Sequence, residues 1–196
     1  LAENKLFLTL GFMLEHNEYT GVEFQPNARL QWLLDDRNTI WASISHAVQT
    51  PSRAYSDEHI NIVRLPFSVL SILGNKHGES ETITAYEIGY RVKATKQLLF
   101  DAALFYNTYN DLRTVELVRP YLELTPIPPH LVIPLRTDNK MEGDAYGVEF
   151  SADWQVSENW RLAAAYSLLQ IELSVSNSSR SPSSTEVADK SPQHQV

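Results

Sequence analysis

Cysteine is absent from the 196 residues. That excludes a disulfide framework and thiolate metal sites, and it is consistent with export through an oxidising compartment. No apolar run approaches the ~18 residues that a membrane-crossing helix needs, so a helical membrane protein is excluded. Surplus positive charge is also missing. Against 24 Asp and Glu stand 16 Lys and Arg, a net charge of −8, which argues against a general nucleic-acid binder. Neither a GxxxxGK nor a GxGxxG phosphate loop occurs. Residues 1–4, LAEN, are neither a start nor the basic opening of a signal peptide, and β-like patterns run to both ends. The expectation is a piece of a longer chain. What the sequence does hold, 43% hydrophobic and 20% charged residues, suffices for one ordered domain.

Residues 145–173 organise the reading. Tyr146, Val148, Phe150, Ala152, Trp154 and Val156 alternate with Gly147, Glu149, Ser151, Asp153 and Gln155. After the polar turn Ser157-Glu158-Asn159, the apolar set continues as Trp160, Leu162, Ala164, Tyr166 and Leu168. Strict alternation means strands with one apolar and one polar face. Trp154 and Trp160 flank the turn, where a bilayer interface favours tryptophan.

The same pattern predicts strands over residues 5–15, 28–34, 39–48, 82–94 and 98–110. Residues 16–26 read as a loop that Pro26 ends by lacking a ladder donor, and 35–38 as an Asx-rich turn. Within the long connections, 60–73 could add one or two short strands, while 112–118 and 131–137 could extend their neighbours as a projecting hairpin. Residues 174–190 are Ser-rich and polar and read as mobile, and 191–196 as a strand just beginning. Short and long connections alternate, as in barrels that put short turns on the periplasmic side and long loops outside. The fold expected is all-β: an antiparallel up-and-down transmembrane β-barrel segment of about seven main strands.

Several stretches resemble TonB-dependent outer-membrane receptors: 14–32 (LEHNEYTGVEFQPNARLQW), 39–57, 83–114, 142–167 and 191–196. The run Ala47-Val48-Gln49-Thr50-Pro51-Ser52-Arg53 is similar to the family's F/AxxPS/R strand-to-loop element. Ala85-Tyr86-Glu87-Ile88-Gly89-Tyr90 is similar to its xxExGxK/R strand. The resemblance implies a barrel of about 22 strands with a plug in its lumen. It also implies Gram-negative outer-membrane location and uptake of a scarce nutrient, foremost a ferric siderophore or similar metal chelate. The partners implied are outer-membrane lipid, the plug and TonB, with no nucleic acid, no cofactor and no catalysis. Plug, first half of the barrel and final strands find no counterpart here, so residues 1–196 are expected to be a partial barrel domain. The alternatives are another outer-membrane barrel (a passive porin or an enzyme) or a soluble β-structured binding protein.

Candidate chemistry is sparse. No two of the six histidines pair at metal spacing; His77-Gly78-Glu79-Ser80-Glu81 offers loop ligands but reads as a solvated loop. Glu87, Asp101, Glu149 and Asp153 share the polar parity and read as a wall with Arg29, Arg91 and Lys93 rather than as acid–base pairs. No Ser/His/Asp arrangement follows from spacing. Aromatics on the apolar parity read as interfacial girdles. Arg53, Tyr55, Tyr109, Arg113, Arg119, Tyr121 and Arg136 lie in or beside the long segments. They are the candidate ligand contacts, the arginines because ferric siderophores are often anionic.

Overall fold

The computed structural model of the chain describes residues 5–181 and 191–196. Its strands are β1 (Leu6–Asn17), β2 (Gly21–Leu33), β3 (Asn38–Gln49), β4 (His59–Leu65), β5 (Ser68–Leu73), β6 (Glu81–Lys93), β7 (Leu98–Leu117), β8 (Tyr121–Glu123), β9 (His130–Ser157), β10 (Trp160–Val175) and β11 (His194–Gln195). One short helix, α1 (Arg53–Asp57), follows β3. The sheet runs β1-β2-β3-β6-β7-β9-β10-β11. Every neighbouring pair in that path is antiparallel. This is the expected up-and-down wall.

Its register aligns the alternation across the strands. Leu10, Ala28, Ile44, Tyr86, Tyr106 and Tyr146 form one continuous row. The even-numbered face carries the apolar side chains, and they are bare: Leu10 is 71% exposed, Leu104 55% and Phe150 51%. A sheet with its greasy face outward inverts the arrangement of a small water-soluble barrel and matches the lipid-facing surface of a transmembrane one. Neighbouring tyrosine rings, Tyr86–Tyr106 and Tyr106–Tyr146, lie 6.4 Å apart. From Tyr146 to Trp154 on β9 is about 26 Å along the strand, or roughly 20 Å of height at the ~35–45° tilt of barrel strands, close to the apolar band between two girdles. The odd-numbered face lines a concave space of about 800 Å³ that includes Trp41, Glu87, Arg91, Asp101, Phe105 and Glu149.

One expectation is corrected. Residues 16–26 are not a loop, because the alternation continues through Val22 and Phe24 and Pro26 pairs with Phe12 inside β2. The chain turns within residues 18–20, where Asn17 Oδ1 accepts the N–H groups of Tyr19 and Thr20 and Gly21 takes φ 82°. Proline is tolerated at this point because the β2–β3 ladder begins only at Asn27, and Gln25 Oε1 accepts the Val48 N–H instead. Off the antiparallel path the sheet gains one parallel ladder. The β4–β5 hairpin, from the connection between β3 and β6, reaches across to β9 and adds β5 in parallel to Leu131–Arg136.

The projecting hairpin forms as expected, with β7 and β9 paired as far as Leu117 and Leu135. A strand needs ~9–11 residues to cross a bilayer; β9 has 28. Together with β4, β5 and β8 it builds a cap at the long-loop end. Nearly all the fully buried side chains sit there, among them Tyr55, Val69, Ser71, Glu116, Val132 and Thr137. Residues 176–181 fold against the cap through Arg180 and Glu116; the rest of the Ser-rich stretch, 182–190, lies outside the described residues.

The cap junction and the concave wall

Tyr55 is the centre of the cap. Pro51 and Ser52 stop β3 and start α1, whose first turn is capped by Ser52 Oγ accepting the Tyr55 N–H at 3.3 Å. The helix delivers Tyr55 onto β7 and β9, where it is 3% exposed. Its hydroxyl donates to Asn139 Oδ1 at 2.8 Å. Its carbonyl accepts from the Asn75 N–H at 3.0 Å and from the Thr137 hydroxyl at 3.4 Å. The Arg113 guanidinium lies 4.7 Å from the ring centroid, a cation–π contact. Gly78 must be glycine, because a Cβ there would stand 2.1 Å from Tyr55 Cε1. Burial pushes the phenol up to about 12.

Asn139 distributes the load. Its Oδ1 also accepts the Glu79 N–H at 2.9 Å, and its Nδ2 donates to the carbonyls of Glu79 and Asp111. Asp111, at φ 57°, sits in the irregularity between Tyr109 and Leu112 where β7 changes register against β9. On the opposite side of the hairpin, burial raises the Glu116 carboxyl. Hydrogen bonds from the Arg180 N–H and the Ser179 hydroxyl outweigh burial and hold it below the usual carboxylate range.

The sequence candidates therefore divide. Tyr55 and Arg113 come together, with Tyr55 buried and Arg113 exposed over its ring. Tyr109 is half-buried in the wall opposite Ile83 and Gly143. Arg53 is exposed and reaches Asp57 at 3.8 Å. Arg119, Tyr121 and Arg136 are exposed on the cap, with Tyr121 paired to Val132 and Arg136 to Glu116 and Leu73. They are not gathered into one pocket. Asn139 and Glu116 were not singled out from sequence, since both lie in polar stretches whose partners are distant in the chain.

The concave face is a polar wall. Ser43 Oγ donates to Glu87 at 2.9 Å, Asp101 pairs with Arg91 and Asp153 with Arg161. Arg29 lies over the Trp41 ring at 4.7 Å, and Trp41 covers Gly89, where a Cβ would meet the indole at 2.3 Å. Among the described residues no three His, Asp or Glu side chains converge to hold a metal.

Against known proteins, the TonB dependent receptor-like, beta-barrel family model matches residues 1–195. No curated protein matches the sequence. Among solved structures, the siderophore receptor PirA from Acinetobacter baumannii superposes with TM-score 0.72 at 17% identity, over 86% of this chain and 26% of the receptor. A mutant ferric enterobactin receptor, PfeA, from Pseudomonas aeruginosa gives 0.72 at 16% identity, over 86% and 25%. The FrpB iron transporter from Neisseria meningitidis gives 0.60 at 13%, over 92% and 25%. At these identities the likeness is one of fold, and the chain spans about a quarter of each of these receptors. With an outward apolar face, a polar concave wall and a family match over nearly its whole length, the chain belongs to the TonB-dependent receptor-like β-barrel family.

Proposed function

We propose that the chain supplies wall and extracellular cap to an outer-membrane active transporter of a Gram-negative bacterium. The cargo is a scarce nutrient, foremost a ferric siderophore. Residues 1–196 are then part of the barrel domain, and a plug outside them couples transport to TonB. The work is binding and passage, not catalysis. The observation that carries the reading is the opposition of faces. Even-numbered residues present a bare apolar band bounded by the Tyr86–Tyr106–Tyr146 row and by Trp154 and Trp160, which water would not tolerate and lipid requires. Odd-numbered residues line a hydrated passage with paired charges. The turns between β2 and β3, β6 and β7, and β9 and β10 face the periplasm, and the cap and the β1–β2 turn face outward. Arg53, Arg113, Arg119, Tyr121 and Arg136 are its exposed candidate contacts, while Tyr55 and Tyr109 set the shape on which they are displayed.

The test is uptake of radiolabelled ferric chelates by iron-starved cells with and without the complete gene. Deletion should abolish uptake of at least one chelate. Unchanged uptake of ferric siderophores would sink the iron assignment while leaving the barrel intact.

A further inference from the structure

Two hairpins end side by side on the cap. β4 and β5 are joined at Pro66 and Phe67, and β8 and β9 through residues 124–129. Val69 stands opposite Val132 in the parallel ladder, and the Phe67 carbonyl accepts the Leu131 N–H at 2.9 Å. Between the hairpin ends is a hollow of about 180 Å³. Its apolar lining is Leu65, Val69, Val132 and the run Pro126-Ile127-Pro128. The two valines, 4% and 2% exposed, are its floor. An apolar cavity of ~150 Å³ takes up one benzene, so the hollow has room for a single ring.

Its free charge is of one sign. Residues 59–73 contain no Asp or Glu, and residues 118–136 contain one, Glu123. Glu123 lines the hollow, but its Oε2 lies 3.1 Å from His130 Nε2. His130 Nδ1 lies 3.2 Å from the Pro128 carbonyl, so the carboxylate is engaged within its own hairpin. Arg64 lines the same hollow. It is exposed and makes no ion pair among the described residues. A free guanidinium beside an apolar hollow fits a flat group whose edge carries negatively charged oxygen.

Resting on the reading above that the cap meets a ferric chelate, we propose that this hollow is a subsite for one aryl arm of the chelate. The ring rests on Val69 and Val132, and the anionic oxygens at its edge accept from Arg64. The cargo class that matches is a ferric complex of catecholate or phenolate arms, in which ring and negative charge lie together. A ferric polycarboxylate offers the charge without the ring. A neutral ferric tris-hydroxamate with aliphatic arms offers neither.

The experiment uses the complete receptor in outer-membrane vesicles and these three complexes as radiolabelled probes: a ferric tris-catecholate, a ferric polycarboxylate and a neutral ferric tris-hydroxamate. Equilibrium binding is compared for the parent, Arg64→Gln and Ile127→Asp. Both positions are exposed, so neither change should disturb the fold. The tris-catecholate should bind the parent most tightly. Arg64→Gln should weaken it about tenfold, the worth of one hydrogen bond to a charged group. Ile127→Asp, which sets a carboxylate beside the ring, should weaken it at least as much. Binding of the other two probes should not change in Arg64→Gln. Equal losses for the polycarboxylate and the catecholate would mean that Arg64 reads charge without a ring, and overturn the proposal. So do catecholate binding that both variants leave unchanged, and a parent that binds another probe but not the catecholate. Each of these outcomes leaves the transport reading standing. Binding of none of the three overturns both the subsite and the iron assignment.

Discussion

The Tyr55 hydroxyl donates to Asn139 Oδ1 at 2.8 Å across 84 residues of chain. That bond joins the connection after β3 to the extended strand β9, with β6 and β7 lying between them in the sheet. Losing the hydroxyl alone is mild, because Asn139 Oδ1 keeps the Glu79 N–H. Tyr55→Phe should destabilise the cap by about 1 kcal/mol. Tyr55→Ala also empties the space between Gly78 and Arg113 and should cost about 3–5 kcal/mol. Hydrogen exchange over β4 and β5 should rise strongly in Tyr55→Ala, with the wall strands unchanged. Equal protection in Tyr55→Ala and the parent would refute the anchoring role.

The same residue gives the cap an alkaline limit. Its folded value, pushed to about 12 by burial, lies above the ordinary ~10 of tyrosine. The neutral phenol is therefore the form that folding favours. Its contribution is fully present below pH ~10 and is lost as pH rises towards 12. Exchange of the β4–β5 amides, corrected for intrinsic rate, should accelerate over that window in the parent. In Tyr55→Phe the acceleration should be absent.

Glu116 sets the opposite limit. Its carboxyl is held below its ordinary value, so the contribution is present above about pH 4 and lost as pH falls through the folded value. Acid should release residues 176–181 from β7 while leaving Tyr55 in place. Glu116→Gln, which keeps an acceptor for the Arg180 N–H but loses the charge, should weaken this contact by about 1–3 kcal/mol at neutral pH and remove its acid dependence. Protease nicking near residue 180 would report both effects.

The wall was legible in the sequence, and so were the cap's separate strands in the β7–β9 hairpin and over 60–73, but not how those strands pack on one another. Period-two alternation has only one strong solution, so strands, faces and short turns at Asp35 and Ser157 follow from residues that are neighbours in the chain. Pro26 misled because a proline is read as a breaker, whereas its effect depends on which edge lacks a partner, and that is fixed by β3. Parallel pairing of β5 with β9 joins segments about 60 residues apart, and local pattern carries no trace of it. The candidate contacts suffered likewise. Arg and Tyr mark a long loop as able to bind, but burial of Tyr55 beneath Arg113 depends on Gly78 and Asn139. Neither had a local signature.

Trp41 and Gly89 oppose each other on β3 and β6, and the indole occupies the volume a side chain at Gly89 would need. Gly89→Val should displace the ring from Arg29 and cost about 1–3 kcal/mol. A red shift in the emission of Trp41, measured in a variant lacking the other three tryptophans, would report it. Gly89→Val with unchanged emission and stability would show that the ring does not rest there.

The two faces of β7 separate the membrane reading from any other. Leu104 is 55% exposed on the even face, inside the apolar band and one position from its tyrosine row. Ala103, its neighbour, lines the concave space with Glu87, Asp101 and Glu149. If lipid covers the even face, Leu104→Arg puts a charge in hydrocarbon at a cost of about 1–3 kcal/mol, between the interfacial and midplane values. Ala103→Arg meets water and three carboxylates and should be nearly neutral. In the complete protein, the folded fraction in outer membranes, read from its heat-modifiable gel mobility, should fall for Leu104→Arg and hold for Ala103→Arg. The reverse result would turn the sheet inside out, since the same register that makes one face apolar assigns its partner to water.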